Sequence, residues 1–269
     1  MNKYFILAVL ALFISKLNGQ TEINRLSLNE AIEIGIKQNP ELMQSAENIN
    51  AAKGRFWKGI SLPQPELELS LEYTPVNTSL SNYSERTFAI SQSFEFPTNY
   101  FLKGNKYSKE EQIAFEQYLL KKYELVKQIK SAYFKVLADQ SLVKYAEENL
   151  IISEDFYKKA QIRYNVGEGT NIEELTAKVQ LSEAKNKIEI AKNNLNTSLA
   201  ELNYVLGYGN QNKTSSLQLT DSLIYTEHNL SLETVYQTAE ETNPQIKEAE
   251  LNNGIAGVEK TLAWSSLLP

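Results

Sequence analysis

The chain has 269 residues, of which 42% are hydrophobic, and this composition is typical of a folded protein rather than a disordered one. Its formal net charge of −6 argues against nucleic acid as a partner, and the absence of cysteine excludes disulfides, thiolate catalysis and thiolate metal ligands. No apolar run reaches the roughly 18 residues of a membrane-spanning helix, so the sequence would meet a membrane only through strands or at its surface.

The N-terminus has the pattern of a secretory signal peptide. Lys3 gives a positive start, residues 5–14 form an apolar core, and a small-residue exit follows at Gly19. We expect residues 1–19 to be removed on export, with cleavage near Gly19.

The sequence contains an internal repeat, in which several short matches share one constant offset. The matching pairs are Leu26-Ser27-Leu28 with Leu230-Ser231-Leu232, Asn39-Pro40 with Asn243-Pro244, and Pro65 with Pro269. We therefore expect residues 20–220 to form a first structural repeat. Residues 221–269 would be the start of a second repeat that is cut off, so the sequence reads as a fragment.

Two helices are predicted at the start of the first repeat. Leu28, Ala31 and Gly35 recur at helical spacing in the first helix. The second helix should begin at Pro40, because proline is well tolerated at the first helical position, and it should end before Pro63.

After Pro65 the hydrophobic period changes from about 3.6 residues to 2, which predicts β-strands. A polar loop from Thr74 to about Arg86 separates two alternating runs, so we expect an antiparallel hairpin over about residues 65–97. Its length and alternation are typical of transmembrane barrel strands, although a water-soluble hairpin packed on the helices is the alternative.

A barrel must close, and the smallest barrels have about eight strands, so a shared barrel would need several chains. In this interpretation one side of the hairpin faces lipid and the other faces the lumen. The lipid-facing residues would be Leu67, Leu69, Leu71, Tyr73, Phe88, Ile90, Phe94 and Phe96, and the lumen-facing residues would be Glu66, Glu68, Glu72 and Glu95. The first three of these glutamates would either favour cations or simply be solvated.

Between about Asn99 and Tyr164 the sequence has no proline and one glycine, which predicts a single long helix. Apolar residues recur every seven positions, and this strict period predicts coiled-coil packing. Glycines at 167 and 169 break the helix, and a second heptad helix follows until Gly207. The sequence therefore predicts an antiparallel helical hairpin over about residues 99–207.

These features together resemble the TolC family of outer-membrane efflux proteins. The resemblance covers Leu26 to Pro269 and rests on four segments in order, residues 28–42, 65–69, 163–169 and 200–207. Residues 90–98 are also similar to channels of the heavy-metal (CzcC/CusC-like) efflux subgroup.

The resemblance implies a mainly α protein with a β-hairpin, in which long antiparallel coiled-coil helices accompany two transmembrane β-strands of an oligomeric β-barrel. The complete protein would be a homotrimer in the outer-membrane lipid, with its helical part in the periplasm. It would be a passive conduit for small molecules or metal ions and would bind a periplasmic adaptor (membrane fusion) protein and an inner-membrane pump of the resistance-nodulation-division type. By position, the adaptor-contact tip would be Arg163, Tyr164, Gly167, Glu168 and Thr170.

A soluble periplasmic coiled-coil scaffold, or a non-conducting remnant of a channel, stays open as the second interpretation. Three copies of one hairpin give six strands, fewer than the barrel minimum, so we expect this polypeptide alone not to conduct. The single histidine, His228, cannot form a site of several imidazoles, and the pair Glu147 and Glu148 is expected to be solvated helix surface. We therefore predict no enzyme activity and no catalytic, cofactor or metal site.

Overall fold

The protein is described here by a computed structural model that covers residues 25–72, 85–208, 218–224, 227 and 230–265. The predicted signal peptide, Tyr73, the loop residues 74–84, His228 and Pro269 lie outside these described residues. The elements are β1 (Arg25–Leu26), α1 (Leu28–Gln38), α2 (Pro40–Ile60), β2 (Glu66–Glu72), β3 (Glu85–Ser91), α3 (Pro97–Asn165), α4 (Asn171–Val205), β4 (Gln218–Leu219), α5 (Leu232–Thr242) and α6 (Pro244–Ser265).

The chain divides into two compact units, and neither is a continuous stretch of sequence. One unit combines Met1–Pro40 with Tyr123–His228, and the other combines Glu41–Lys122 with Asn229–Pro269. The boundary falls inside the long helix α3, which contributes its first part to the second unit and the rest to the first.

The core of the first unit is the seam between α3 and α4, and the heptad prediction for both helices is confirmed. Ile129 and Val136 on α3 are fully buried, as is Ala177 on α4. Small residues let the two helix backbones approach closely. Lys135 Nζ donates to Glu201 Oε2 at 2.7 Å, which pairs the helices in antiparallel order.

Helix α1 packs on the base of this hairpin through a close backbone approach. A Cβ at Gly35 would meet the Cδ1 methyl group of Ile129, so glycine lets α1 lie this near to α3 without displacing that side chain. The helix begins with a capping box, in which Ser27 accepts from the Glu30 N–H and the Glu30 carboxylate accepts from the Ser27 N–H. The predicted apolar stripe of α1 therefore faces the core, as Ala31 is fully buried.

In the second unit, α2 and α6 lie on the first part of α3. Leu42 and Ala52 of α2 are buried. Side-chain hydrogen bonds from Lys106 to Glu259 at 2.6 Å and from Gln117 to Glu248 at 2.7 Å fix α6 alongside α3. As predicted, α2 begins at Pro40 and ends before Pro63.

The helices α5 and α6 lie in the segment predicted to begin a second repeat, and they match α1 and α2 in form. Both α1 and α5 have 11 residues, a serine N-cap and an asparagine C-cap, and proline opens the helix that follows each of them. The two copies differ in burial, because α5 has no buried residue whereas α1 buries Ala31 and Gly35.

Candidate functional site

The strands β2 and β3 form an antiparallel hairpin with one apolar face. Leu67 pairs with Ile90 and Leu69 with Phe88, and directly opposed residues share a face of the ladder. These side chains are strongly exposed, Leu67 to 69% and Phe88 to 67% of their surface. No described residue of the chain therefore covers this face.

The opposite face of the hairpin is polar and acidic. It carries Glu66, Glu68 and Glu72, which alternate with the leucines of β2. Glu72 stands opposite Glu85, and like charges in that position repel each other. The predicted division of the hairpin into an apolar and an acidic face is therefore present in the pairing register.

The prediction for β3 extended too far at its C-terminal end and began slightly too late at its N-terminal end. β3 ends at Ser91, so Phe94, Glu95 and Phe96 are not strand residues. Beyond Ser91 the ladder has no partner to extend along, because Pro65 precedes β2 and a proline lacks the N–H that a ladder needs.

The residues after Ser91 bond to helices and loops instead of a strand. Glu95 forms an ion pair with Lys103 of α3, and its backbone N–H donates to the Tyr100 hydroxyl at 3.3 Å. At the other end, β3 begins at Glu85, so Arg86 belongs to the strand rather than to the predicted loop. Arg86 stands opposite Leu71 and brings one charge to the apolar side.

The turn between α3 and α4 is a hydrogen-bonded loop. The backbone N–H groups of Glu168 and Gly169 donate to the Arg163 carbonyl oxygen at 2.9 and 3.0 Å. Gly167 has a φ of +80°, a conformation that is strained for residues with a Cβ. Thr170 then caps α4 through a capping box with Glu173. The loop is thus defined by its own backbone bonds.

The predicted tip residues lie together and face solvent. Arg163, Tyr164, Gly167, Glu168 and Thr170 are all exposed. Sequence reasoning missed the apolar part of the same surface, which consists of Ile162, Val166, Ile172 and Leu175. The signal was available, because these residues lie outside the heptad seam and so had no predicted partner.

A polar cluster at the base of the helical hairpin was also missed. The hydroxyl of the fully buried Tyr133 lies 2.7 Å from Asp221 Oδ2 and 2.8 Å from the Leu26 carbonyl oxygen. Asp221 Oδ2 also accepts from the Leu28 N–H at 2.8 Å, at the start of α1. Next to this cluster, β1 and β4 pair in parallel. The cluster therefore joins the start of α1, the middle of α3 and the segment after α4.

Burial and this hydrogen bonding shift both titrating groups of the cluster. Desolvation and the hydrogen bond to Asp221 raise the pKa of Tyr133 to about 12. The hydrogen bonds from Tyr133 and from the Leu28 N–H lower the pKa of Asp221 below its ordinary value. The folded state therefore favours the charged carboxylate of Asp221 and the neutral phenol of Tyr133.

Neither a metal site nor a membrane-spanning helix is found in the part of the chain that the structure describes. Within it, no three His, Asp or Glu side chains are grouped as metal ligands would be. No helix in these residues is both long and apolar enough to cross a bilayer.

Several solved structures have a similar fold, and three of them show how far the likeness extends. A membrane protein from Pseudomonas aeruginosa is 15% identical over 86% of this chain and 56% of that one, with a TM-score of 0.68. The Campylobacter jejuni CmeC outer membrane channel is 14% identical over 91% and 55%, with a TM-score of 0.67. CusC, a protein whose structures show conformational changes that accompany folding and transmembrane channel formation, is 17% identical over 86% of this chain and 54% of that one, with a TM-score of 0.66. The chain thus spans about 55% of the length of these solved proteins.

Sequence comparison identifies the family. No curated protein sequence matches the chain significantly. The family model described as outer membrane efflux protein matches residues 31–208, from α1 through the long helices to the end of the helical hairpin. Because this match covers more than half of the chain and the fold agrees with it, the chain belongs to the outer membrane efflux protein family.

Proposed function

We propose that the chain is a subunit of an outer-membrane channel, a passive conduit for the export of small molecules or metal ions. The observation that carries this proposal is the uncovered apolar face of the strand hairpin. Leucine and phenylalanine side chains so exposed and so close together need a non-aqueous cover. Membership of the efflux family supports lipid as that cover.

In this proposal the two faces of the hairpin have different surroundings. Leu67, Leu69 and Phe88 would face lipid, and Glu66 and Glu68 would face the water of the lumen. A lumen with a ring of carboxylates attracts cations, so the acidic face would favour cationic cargo. Metal ions are one such cargo, and the resemblance of residues 90–98 to heavy-metal exporters supports them.

The channel would be assembled from several chains. Two strands cannot close a barrel, and the complete protein would therefore form a homotrimer in the outer membrane, with the long helices in the periplasm. Three copies of this hairpin give six strands, so closure would draw on further strands of each complete subunit.

The tip of the helical hairpin would be the contact for a periplasmic adaptor protein. Its hydrogen-bonded turn presents Arg163 and Glu168 beside the exposed apolar residues Val166 and Ile172. A polar loop with an apolar surround is typical of a protein interface. The adaptor would connect the channel to an inner-membrane pump of the resistance-nodulation-division class, completing a tripartite efflux system.

The tip assignment is tested by site-specific photo-cross-linking in cells. A photoreactive amino acid at Glu168 should capture the adaptor, whereas the same group at the exposed Lys192, far along α4, should not. Equal capture from both positions would contradict the assignment.

A soluble periplasmic scaffold is the second candidate function. It is favoured by one observation, namely that the helical hairpin from Tyr123 onward, with its tip, belongs to a compact unit that excludes β2 and β3. In that case the hairpin would bind partners without forming a pore.

Cell fractionation separates the two functions. We expect the chain in the outer-membrane fraction, where only detergent releases it. Release into the periplasmic extract without detergent would reject the channel and favour the scaffold.

A further inference from the structure

A cavity lies where the strand hairpin meets the helices, within the second unit. It has a volume of about 680 Å³ and is lined by the end of α2, the connecting residues before β2 and the first turns of α3. The side chain of Gln92 donates to the Pro63 carbonyl oxygen at 3.1 Å, which ties the residue after β3 to this connection. Small-molecule sites usually have volumes of roughly 300 to 1,000 Å³, so the cavity is large enough for a ligand.

The charge of the cavity lining is predominantly positive. Arg55 and Lys58 of α2 lie three positions apart and so share one side of that helix, and Lys103 of α3 also lines the cavity. Glu95 is the one carboxylate among the described lining residues, and it is paired with Lys103. In the part of the chain that the structure describes, no carboxylate lies within ion-pair distance of Arg55 or Lys58. The lining therefore carries an excess of positive charge that a bound anion would neutralise.

Two tyrosines add hydrogen-bonding groups to these cations. Tyr100 and Tyr107 line the cavity from the same side of α3, one heptad apart. The Tyr100 hydroxyl oxygen accepts from the Glu95 N–H at 3.3 Å, which leaves the hydroxyl proton available for a ligand. A Cβ at Gly59 would overlap the ring of Tyr107, so that ring lies directly on the backbone of α2. Arginine, lysine and tyrosine side chains around one cavity are typical of sites that bind phosphate oxygens.

The position of the cavity relative to the apolar face of the hairpin indicates where such a phosphate comes from. Gln64 lines the cavity and lies three residues before Leu67, the first apolar residue of β2. At about 3.3 Å per strand residue, the lining begins within about 10 Å of the apolar face. In a bilayer the head-group layer adjoins the hydrocarbon and is about 5 to 8 Å thick on each side. A hairpin whose apolar face lies in hydrocarbon therefore places the cavity at the depth of lipid phosphates.

Exposed aromatic side chains lie beside the lining residues along the chain. Trp57, next to Lys58, is 68% exposed, and Phe101, next to Tyr100, is 80% exposed. Aromatic rings, tryptophan above all, are enriched where membrane proteins meet the head-group layer. A site for free phosphate has no need of such apolar surroundings, so they favour a lipid as the source of the phosphate.

We propose that this cavity binds the phosphate head group of an anionic phospholipid. The inference rests on the proposed channel, because only a hairpin embedded in the membrane brings the cavity to the head groups. Arg55 and Lys58 contact the phosphate oxygens, and Lys103 supplies a third positive charge. An anionic lipid fits better than a zwitterionic one, since the ammonium group of a zwitterionic lipid would meet the same cations. The bound lipid holds the helix end of the hairpin at the membrane surface.

A titration with three soluble probes tests the ligand. The purified chain, in a maltoside detergent that contains no phosphate, is titrated by calorimetry with dihexanoyl phosphatidylglycerol, with dihexanoylglycerol and with inorganic phosphate. We expect saturable binding of the first probe and at least about tenfold weaker binding of the others, because each lacks either the phosphate or the acyl chains. Equal affinity for inorganic phosphate would overturn lipid as the source of the phosphate. Equal affinity for dihexanoylglycerol would overturn the phosphate contact itself.

Matched charge substitutions test whether the binding takes place in the cavity. Arg55→Gln/Lys58→Gln should raise the Kd for dihexanoyl phosphatidylglycerol at least about tenfold, because two cationic contacts to phosphate are lost. Lys127→Gln/Lys130→Gln is the control, since it removes two exposed lysines of the same spacing from a later part of α3. The exchange Arg55→Lys/Lys58→Arg keeps both charges and should bind more tightly than the glutamine variant. Equal losses in the glutamine variant and the control would refute the cavity as the site.

The outcomes also separate this inference from the proposed function. A chain that fractionates with the outer membrane, yet does not bind dihexanoyl phosphatidylglycerol when purified, refutes the lipid site and leaves the channel standing. A chain that is released without detergent refutes the channel, and with it the lipid as ligand.

Discussion

At the scale of single residues, the hydroxyl of Tyr133 holds three segments of the first unit together. We expect Tyr133→Phe to lower the free energy of unfolding by about 2 kcal/mol, because a partly buried hydrogen bond to a carboxylate is lost. Thermal unfolding followed by circular dichroism measures the change. The control is Tyr145→Phe, which removes an exposed hydroxyl and should have no effect. Similar losses in both variants would contradict the assigned role.

The same hydroxyl gives a pH dependence with a defined sign. The pKa of Tyr133 is raised to about 12 in the folded state, against about 10 in an unfolded chain. The unfolded state therefore loses this proton first, and the contribution of Tyr133 to stability declines from pH 10 and is lost as pH passes 12.

We accordingly expect the stability advantage of the wild type over Tyr133→Phe to be constant near neutrality and to shrink between pH 10 and 12. The variant is its own control, because all other titrating groups are common to both proteins. An advantage that stays constant up to pH 12 would be incompatible with the raised pKa.

Glycine at position 207 is required by both its backbone and its surroundings. Gly207 has a φ of +84°, and a Cβ there would lie 2.6 Å from the Gln38 carbonyl oxygen. We expect Gly207→Ala to destabilise the protein by about 2 kcal/mol in the same unfolding measurement. Gly54→Ala is the opposite case, since Gly54 lies in α2 with open space around it, and it should stabilise by up to about 1 kcal/mol.

At the scale of elements, the seam between α3 and α4 contributes most to the stability of the fold where the two helices are closely packed. Ile188 is only 7% exposed and packs with Ala146 and Ala191, with Val143 and Leu150 alongside. We expect Ile188→Ala to lower the midpoint of unfolding and to cost about 2 to 4 kcal/mol through lost burial and a cavity.

The neighbouring Ile190→Ala provides the comparison for that experiment. Ile190 is 52% exposed on the same helix, and alanine is the better helix former, so its effect on stability should be near zero. Equal destabilisation by the two changes would exclude the seam as the source of the difference.

The sequence predicted the elements that depend on local pattern. Heptads located both long helices, and alternation placed Leu67 and Glu68 on opposite faces of the hairpin. Local pattern did not predict where β3 ends, because that depends on its partner strand beginning after Pro65.

The polar cluster at the base of the helical hairpin could not be predicted from the sequence, for a related reason. Tyr133 and Asp221 are 88 residues apart, and Leu28 and Asp221 are 193 apart. No periodicity or capping rule connects positions so distant, and Asp221 lies in a segment between helices that has no regular pattern of its own. Long-range polar contacts of this kind depend on the complete fold and cannot be predicted from a short stretch of sequence.

At the scale of the whole molecule, each unit leaves apolar surface that the described chain does not cover. In the second unit it is the apolar face of the strand hairpin, and in the first it is a row of exposed residues on α3, namely Leu142, Tyr145, Ile152 and Phe156. Monomeric soluble proteins rarely expose continuous apolar faces, so these two surfaces indicate a protein completed by its surroundings. The two apolar surfaces suit different partners. A flat strand face suits lipid, whereas a row of apolar residues with heptad spacing suits another helix.

The lipid contact of the strand hairpin gives a prediction that compares adjacent residues. Phe88 and Ala89 are neighbours on β3 but lie on opposite faces, with Phe88 paired to Leu69 and Ala89 to Glu68. In the proposed orientation, Phe88→Arg would place a charge in hydrocarbon at a cost of about 2 to 4 kcal/mol, whereas Ala89→Arg would place it in the aqueous lumen beside glutamates. We expect the first variant to lose at least about nine-tenths of its resistance to extraction from membranes by alkaline carbonate, because each step of about 1.4 kcal/mol is a factor of ten. The second variant should stay embedded. If both variants are extracted alike, or neither is, then the two faces meet the same environment and the hairpin does not lie between lipid and a lumen.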